Sequence, residues 1–251
     1  MDCRMRGGKV AGYGVMRSLV RYILLRLGSV FGSSKPKVVF YHDVGKNYTS
    51  MGTPEEMFWA HMNCLRKGDV VCFDDGFRGI WDAREKLKVV SGEFRVIVFI
   101  AAGLVGKPVY LTWDEIKELQ SRYGIDFQCH TWSHQTLAGP YNVEVPEPPG
   151  GRTEEWYGHE LVDSKAELER QLGKKITALC FPVGYFTDDV VRRCREAGYE
   201  KVYASYPGDV TDGYMQPRCL VQNMSVPEFK CVLNGGMNCL QARYLLRHKV
   251  G

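Results

Sequence analysis

The chain has 251 residues, of which 45% are hydrophobic and 25% charged, so it has the composition of a globular protein that can bury one sizeable core. Its net charge of +4 is uneven: residues 1–37 hold eight Lys and Arg against Asp2 alone, so that segment is +7 and the remainder sums to −3. The folded body therefore has no basic excess, and no nucleic-acid-binding motif accompanies the basic segment. We exclude nucleic acid as an expected partner.

The cysteines give an indication of compartment. They number nine, an odd count, and they are scattered without C-x-x-C spacing, which argues against a disulfide framework and against a zinc site made of cysteines. Reduced cysteines at the ends of apolar runs behave as small core residues. We therefore expect a reducing compartment and a cytoplasmic protein.

Residues 1–36 are predicted to form a basic amphipathic N-terminal segment ahead of the folded domain. The apolar stretch 15–31 is interrupted by Arg17, Arg21 and Arg26, so it lacks the continuous core of a signal peptide and is too broken to span a bilayer. As a helix it would lie on an anionic membrane surface, at the inner face, or on a partner. The alternative is a helix packed on the domain or a mobile leader, and amphipathicity alone does not separate the two.

From residue 37 onward, short apolar runs alternate with helical patterns. Seven runs read as strands: residues 37–41, 69–73, 94–100, 125–129, 176–181, 201–204 and 219–222. Capping boxes at Thr112 and Ser225 mark the starts of two helices. The proline-rich residues 139–152 are predicted to form a surface loop. This alternation predicts an α/β fold with a parallel sheet, in which residues 37–251 form a distorted, incomplete (β/α)7 barrel.

Polar residues that can carry chemistry follow several of these strands. His42 follows the first strand, the pair Asp74-Asp75 follows the second, His130 and His134 follow the fourth, and Pro182-Val183-Gly184 follows the fifth. Because chemistry gathers at the carboxyl ends of strands in such barrels, we expect these residues to share one rim. Two adjacent carboxylates in a pocket also require a nearby positive charge, most simply a metal ion.

His130 and His134, together with a carboxylate from another strand, would form a metal site of two histidines and one carboxylate. Such a set leaves open positions on a divalent ion for water and substrate. The same ligands occur in non-haem iron oxygenases, which is one alternative for this chain. The alternation of strands with helices, rather than a run of short β-strands, argues against that alternative.

The motifs at this rim resemble those of a known family. Phe73-Asp74-Asp75-Gly76, His130-Thr131-Trp132-Ser133-His134 and the turn Pro182-Val183-Gly184 are similar to the first three motifs of the polysaccharide deacetylases, carbohydrate esterase family 4. The resemblance runs from about residue 38 to residue 205. It implies a distorted (β/α)7 barrel and a divalent metal, usually zinc with cobalt or nickel as alternatives. It also implies hydrolysis of acetyl groups on amino sugars of a polysaccharide, an oligosaccharide or a lipid-linked precursor.

The resemblance also implies a role for each motif residue. Asp75, His130 and His134 would bind the metal, and Asp74 would act as the general base. A metal lowers the pKa of water and polarises a carbonyl, so a neighbouring carboxylate can complete the deprotonation. The backbone N–H of Val183 would help to stabilise the oxyanion.

Three departures from the family pattern stand in the sequence. Cys180 occupies the position of the arginine that normally braces the catalytic aspartate, the fourth motif has no clear counterpart, and the late histidine that acts as general acid is absent. A subset of the family places its acid histidine in an N-terminal Tyr-His motif, and Tyr41-His42 resembles that motif. We therefore predict that His42 protonates the leaving amine. The alternative is a carbohydrate-binding protein on the same fold that does not catalyse the reaction.

Two aromatic residues are candidates for contact with the sugar. Trp132 and Tyr185 stand beside the second and third motifs, and flat aromatic faces suit the C–H surfaces of pyranose rings. Aromatic residues between a strand and a helix more often belong to the core. The expected partner is an acetylated sugar chain or its precursor, and the sequence leaves open whether the acetyl group is N-linked or O-linked.

Overall fold

The computed structural model describes residues 20–30, 32–241 and 249, so the part of the N-terminal segment before residue 20 lies outside the described residues. Eight strands are assigned within the described ranges, all of them short. They are β1 (Val38–Tyr41), β2 (Val70–Phe73), β3 (Arg95–Ile100), β4 (Asp126–Cys129), β5 (Ala178–Cys180), β6 (Lys201–Ala204), β7 (Met215–Pro217) and β8 (Cys219–Leu220).

All strand pairs are parallel, in the spatial order β7-β6-β5-β4-β3-β2-β1-β8. The two outermost strands, β7 and β8, are separated in sequence by Arg218 alone. One continuous run of chain therefore pairs with β6 at one end and with β1 at the other, which nearly closes the sheet. The seventh predicted strand, residues 219–222, corresponds to β8, whereas β7 was not predicted. The predicted distorted (β/α)7 barrel is confirmed.

Residues alternate between the inside and the outside of the barrel with the period of two expected for strands. A compact cluster fills the interior, and the larger cluster lies between the sheet and its helices. The interior residues are Val38, Phe40, Cys72, Ile97, Phe99, Ala178, Cys180 and Tyr203. The interior is thus a packed core, and the space for chemistry lies above it at the rim.

The helices pack outside the sheet. After a first helix α1, of which residues 20–30 are described, they are α2 (Glu55–Met62), α3 (Gly79–Asp82), α4 (Arg84–Glu93), α5 (Trp113–Tyr123), α6 (Glu154–Gly158), α7 (Ser164–Leu172), α8 (Asp188–Glu196) and α9 (Val226–Leu233). A π-helical segment, His159–Asp163, joins α6 to α7. The predicted capping boxes at Thr112 and Ser225 are both present, at the starts of α5 and α9.

Helix α1 packs on the barrel domain through one face. Leu25 is buried in the main apolar cluster, and the Arg21 guanidinium pairs with the carboxylate of Glu228 at 2.6 Å. Within the described ranges, none of the helices has the length and apolar character needed to cross a membrane.

Candidate active site

The predicted rim residues lie together around one cavity. Its volume is about 860 Å³, and its lining includes side chains that follow β1, β2, β4 and β5. The sequence-predicted residues among them are His42, Asp74, Asp75, His130, His134, Val183 and Tyr185. Parallel pairing places the carboxyl ends of these strands at the same edge of the sheet, which is why residues far apart in sequence meet here.

Asp75, His130 and His134 form a group that can hold a metal ion. The Nε2 atoms of His134 and His130 lie 3.0 Å and 3.4 Å from Oδ1 of Asp75, respectively. The two imidazole rings are tilted against each other, with centroids 4.8 Å apart. Two imidazole nitrogens and one carboxylate oxygen suit a divalent ion such as zinc, and they leave positions open for other ligands.

The surroundings of these three side chains also fit a cation. His130 Nδ1 donates to the carbonyl oxygen of Cys180 at 2.9 Å, which directs Nε2 towards Asp75. Asp75 is buried, and its Oδ1 accepts no well-formed hydrogen bond from the described part of the chain. Burial raises the pKa of Asp75, but the neighbouring His134 and His130 outweigh it and hold the pKa well below its ordinary value. The site thus presents a charged oxygen that a metal ion would satisfy.

The backbone is strained at this site. Asp75, Thr131, His134 and Val183 have φ between 57° and 69°, a left-handed conformation that costs side-chain-bearing residues free energy, of the order of 1–3 kcal/mol each. Val109 is the fifth residue other than glycine with positive φ in the described ranges. Strain concentrated on the strand tips is typical of sites where the positions of side chains matter more than local stability.

Asp74 is held by a residue that sequence reasoning missed. The guanidinium of Arg218 forms two hydrogen bonds to its carboxylate, Nη1 to Oδ1 at 2.6 Å and Nη2 to Oδ2 at 2.9 Å. Both side chains are buried, and Arg218 lies over the ring of Phe40 at 4.2 Å. Burial raises the pKa of Asp74, but the charge of Arg218 outweighs it, so the pKa lies below its ordinary value.

Arg218 provides the contact that a brace arginine at position 180 would provide. Cys180 itself only approaches Asp74, with Sγ 3.9 Å from Oδ2. Arg218 reaches Asp74 because it stands between β7 and β8, where the barrel closes, and its side chain enters the interior. The sequence signal was an arginine directly before a predicted strand, which does not by itself indicate a buried partner.

His42 stands at the carboxyl end of β1 and is half-buried in the cavity wall. Its Nδ1 lies 2.6 Å from Oε1 of Gln222, an acceptor, so Nδ1 carries a proton and donates it to this bond. The charge of His42 acts on both Asp74 and Asp75 and lowers the pKa of each. Gln222 was not among the predicted site residues.

The two candidate aromatic residues lie in different places. Tyr185 lines the cavity. Trp132 is not among the lining residues; its ring stacks obliquely on His159, with centroids 4.5 Å apart, and packs against the main core. The geometry thus places Tyr185, and not Trp132, beside the space that a ligand would occupy.

Glu160 holds the loop that carries the two histidines. Its buried Oε2 accepts hydrogen bonds from the backbone N–H groups of Trp132 and Ser133 at 2.9 Å and 3.0 Å. Glu160 belongs to the π-helical segment, a local irregularity often found at functional sites. This carboxylate therefore fixes the loop between His130 and His134.

Comparisons with known proteins agree with this geometry. The sequence profile described as polysaccharide deacetylase matches residues 66–202, more than half of the chain. YxkH of Bacillus subtilis (strain 168), which is named as a polysaccharide deacetylase, is 22% identical over 200 residues. That match covers 70% of this chain and 66% of the relative, so the chain spans just under two thirds of the relative's length.

Three solved structures illustrate the similarity in fold. A polysaccharide deacetylase from Bacillus cereus has a TM-score of 0.66 at 22% identity, with 81% of this chain and 70% of that chain covered. The deacetylase PplD of Streptococcus pyogenes, in complex with acetate, has a TM-score of 0.63 at 20% identity, with 79% of this chain and 98% of that chain covered. IcaB from Ammonifex degensii has a TM-score of 0.63 at 20% identity, with 81% of this chain and 98% of that chain covered. At these identities the likeness shows the fold alone.

Proposed function

Because the chain belongs to the polysaccharide deacetylase family, we propose that it hydrolyses acetyl groups from the amino sugars of a polysaccharide, an oligosaccharide or a lipid-linked precursor. The observation that carries this proposal is that the two adjacent aspartates have different partners. Asp75 faces two histidines, whereas Asp74 is paired with Arg218, and both line one cavity. The site therefore offers a cation-binding group and a separate ionised base next to each other.

Asp75, His130 and His134 would hold the divalent ion, for which zinc is the first candidate and cobalt or nickel are alternatives. When bound, such an ion supplies Lewis-acid polarisation of the acetyl carbonyl and lowers the pKa of water. The second possible group, Asp74 with His130 and Cys180, is a weaker candidate because the buried guanidinium of Arg218 already neutralises Asp74 and would repel a second cation. Because Asp74 already has Arg218 as its positive partner, Asp75 is the aspartate assigned to the metal ion.

Asp74 acts as the general base in this proposal. Arg218 keeps the carboxylate ionised and fixes its plane, and each carboxylate oxygen retains a further lone pair that can accept a proton from the attacking water. The backbone N–H of Val183, which also lines the cavity, would donate to the oxygen on which charge develops. Tyr185 provides an aromatic face for the sugar.

His42 acts as the general acid. Because Nδ1 donates to Gln222, the ring orientation is fixed and Nε2 is the atom that transfers a proton to the leaving amine. Without that proton the amine would leave as an amide anion, which is a poor leaving group. His42 thus takes the role of the late histidine that the sequence lacks.

The test compares metal-loaded wild type with Asp74→Asn on acetylated sugars of several lengths, with acetate and new free amine both measured. We expect equal amounts of the two products from wild type and a loss of at least about a hundredfold in Asp74→Asn, since general-base catalysis contributes about 10²–10⁴-fold. Asp74→Asn should keep its metal, because Asp74 is not a ligand. Asp212→Asn, in an exposed turn, is the matched control. No acetate from wild type on any substrate would reject the proposal.

A further inference from the structure

Helix α1 presents a row of exposed apolar side chains. Val20, Ile23, Leu24, Leu27 and Val30 are between 47% and 70% exposed. Their spacing of three and four residues places them on one face of the helix, which we call the apolar stripe. Exposure of five large apolar side chains in one row is unusual for a soluble surface and indicates a surface that contacts another apolar phase.

The other face of the same helix is anchored. Leu25 is buried in the main core, Tyr22 packs against it, and Arg21 pairs with Glu228 while also donating to the carbonyl oxygen of Asn223 at 3.2 Å. These contacts fix the rotation of the helix on the barrel. The stripe therefore faces outward because the opposite face is already packed.

The stripe borders the mouth of the catalytic cavity, since Val20 and Leu24 are among the residues that line it. Two further exposed apolar residues, Val183 and Leu220, line the same cavity, and Val109 and Val143 are each adjacent in sequence to a lining residue. Of the eleven large apolar residues exposed in the described ranges, nine thus belong to the stripe, line the cavity or are adjacent in sequence to a lining residue. The remaining two are Val89 and Val162.

The charges beside the stripe are positive. At about 100° per residue, Arg21 and Arg26 fall on opposite flanks of the stripe, and both are exposed. The charge of Arg21 is offset in part by Glu228, so Arg26 is the stronger contributor of the two. Residues 1–37 as a whole carry +7. Basic residues along the boundaries of an apolar helix face suit an anionic lipid surface. A second copy of the chain would instead bring two +7 segments together.

We propose that the apolar stripe inserts into the headgroup region of an anionic lipid bilayer and thereby places the mouth of the cavity at the bilayer surface. If the deacetylation proposed above is correct, on which this extension rests, the acetylated sugar is one presented at a membrane, as a lipid-linked precursor would be. The docking itself depends only on the stripe, its anchoring and its charge.

The experiment is vesicle flotation of the full-length protein with phosphatidylcholine vesicles, with and without phosphatidylglycerol. The test variant is Ile23→Asp with Leu27→Asp, because neither residue lines the cavity. The matched control is Val89→Asp with Val162→Asp, the two exposed apolar residues away from the stripe and rim. We expect wild type and control to float with the anionic vesicles, less so at high salt. The test variant should bind at least about tenfold more weakly, since it loses two apolar side chains from the stripe and gains two negative charges that an anionic surface repels.

Three results would overturn the docking proposal. Wild type could fail to float with any vesicle, or the test variant could float as well as wild type. Wild type could also sediment as a dimer that the test variant converts to a monomer without any flotation, which would mean that a second copy covers the stripe. Acetate release from a water-soluble substrate is measured on all forms in parallel. Its absence in wild type would count against the proposed chemistry and leave the docking result standing.

Discussion

The pairing of Arg218 with Asp74 decides what each of the two adjacent aspartates can do. Without it, both carboxylates would compete for one cation at the rim, and neither would be a dependable base. The bidentate contact gives Asp74 its own positive partner and leaves Asp75 to the histidines. It also removes one of the two reasons for interpreting the chain as a sugar-binding protein without activity, because the contact that Cys180 cannot provide comes from the residue between β7 and β8.

Arg218→Ala should impair both stability and catalysis. Removal of one partner of a buried ion pair costs about 3–5 kcal/mol, because the remaining charge is left uncompensated. The charge of Arg218 lowers the pKa of Asp74, so its loss raises that pKa and shifts the acidic limb of the pH–rate profile to higher pH. Arg218→Lys keeps the positive charge but cannot form the two parallel hydrogen bonds to Asp74. Its stability and its turnover should therefore lie between those of wild type and Arg218→Ala.

The matched control for this prediction is Arg95→Ala. Arg95 pairs with Asp126 at 2.8 Å on the outside of the protein, where such pairs contribute under about 1 kcal/mol. Urea unfolding and pH–rate profiles of all forms provide the measurement. An acidic limb that does not move in Arg218→Ala would contradict the assignment of Asp74 as the base.

His42→Ala should lower turnover on acetylated amines by about 10²–10⁴-fold while metal content stays at the wild-type level. An activated aryl acetate has a leaving group that needs no proton, so its hydrolysis should be much less affected. The ratio of the two rates therefore separates loss of the acid from general damage to the site. Full turnover on the amide substrate by metal-loaded His42→Ala would refute the role.

The buried carboxyl of Asp43, next to His42, should make the stability of the fold depend on pH. This carboxyl accepts from the Val44 N–H at 2.9 Å, its Oδ2 has no partner in the described part of the chain, and burial raises its pKa to about 7. The folded state thus binds this proton more tightly than the unfolded state, whose aspartates titrate near about 4. Ionisation of Asp43 therefore destabilises the fold as pH rises from about 4 to about 7.

Asp43→Asn removes that titration, so the difference in unfolding free energy between the variant and wild type should shift in favour of the variant as pH rises. Urea unfolding at about pH 5 and about pH 8, with a chelator in both, measures the shift. A difference that stays constant between the two pH values would mean that Asp43 does not carry a raised pKa.

At the scale of elements, the loop that carries the two histidines depends on the π-helical segment. Glu160→Ala would free the N–H groups of Trp132 and Ser133 and let the loop move away from Asp75. We expect metal affinity to fall by about 10–100-fold, the usual cost of losing a partner outside the ligand shell. Competition with a chromogenic chelator measures it.

The control is Glu155→Ala, on the same helical stretch but exposed. It should bind metal as wild type does. Equal affinity in both variants would show that the loop holds its shape without Glu160.

Elements set by local patterns could be predicted, and contacts across the fold could not. The strand tips that carry Asp75, His130 and His134 follow apolar runs, and the capping boxes at Thr112 and Ser225 are local signals that the structure confirms. The contact between Arg218 and Asp74 spans 144 residues and depends on how the barrel closes. No local pattern carries that information.

The outward orientation of α1 also lay beyond sequence reasoning. The apolar positions of the helix predicted either a membrane-facing or a core-facing segment; Leu25 packs into the core, Leu27 is exposed, and contact with a membrane stays a prediction. Which residues turn inward depends on where the barrel offers a partner for Arg21, and Glu228 lies in the last helix that is described.

For the whole molecule, the nearly closed barrel explains why the site is both buried and assembled from distant segments. Residues that follow four of the strands line one rim. Arg218, in the run of chain that closes the barrel, reaches Asp74 from the barrel interior. The same architecture argues against an oxygenase built on a run of short β-strands, because the strands here are parallel and those from β1 to β6 are separated by helices.

The central claim is that one divalent ion, held beside Asp74, is required for deacetylation at this rim. The most direct measurement is the initial rate of acetate release by metal-stripped protein as zinc is added back in known ratio. We expect no release without metal and a rate that rises until about one ion per chain, as a single set of three protein ligands requires. Full release by the stripped protein in excess chelator, or none at any ratio with zinc, cobalt or nickel, would contradict the account.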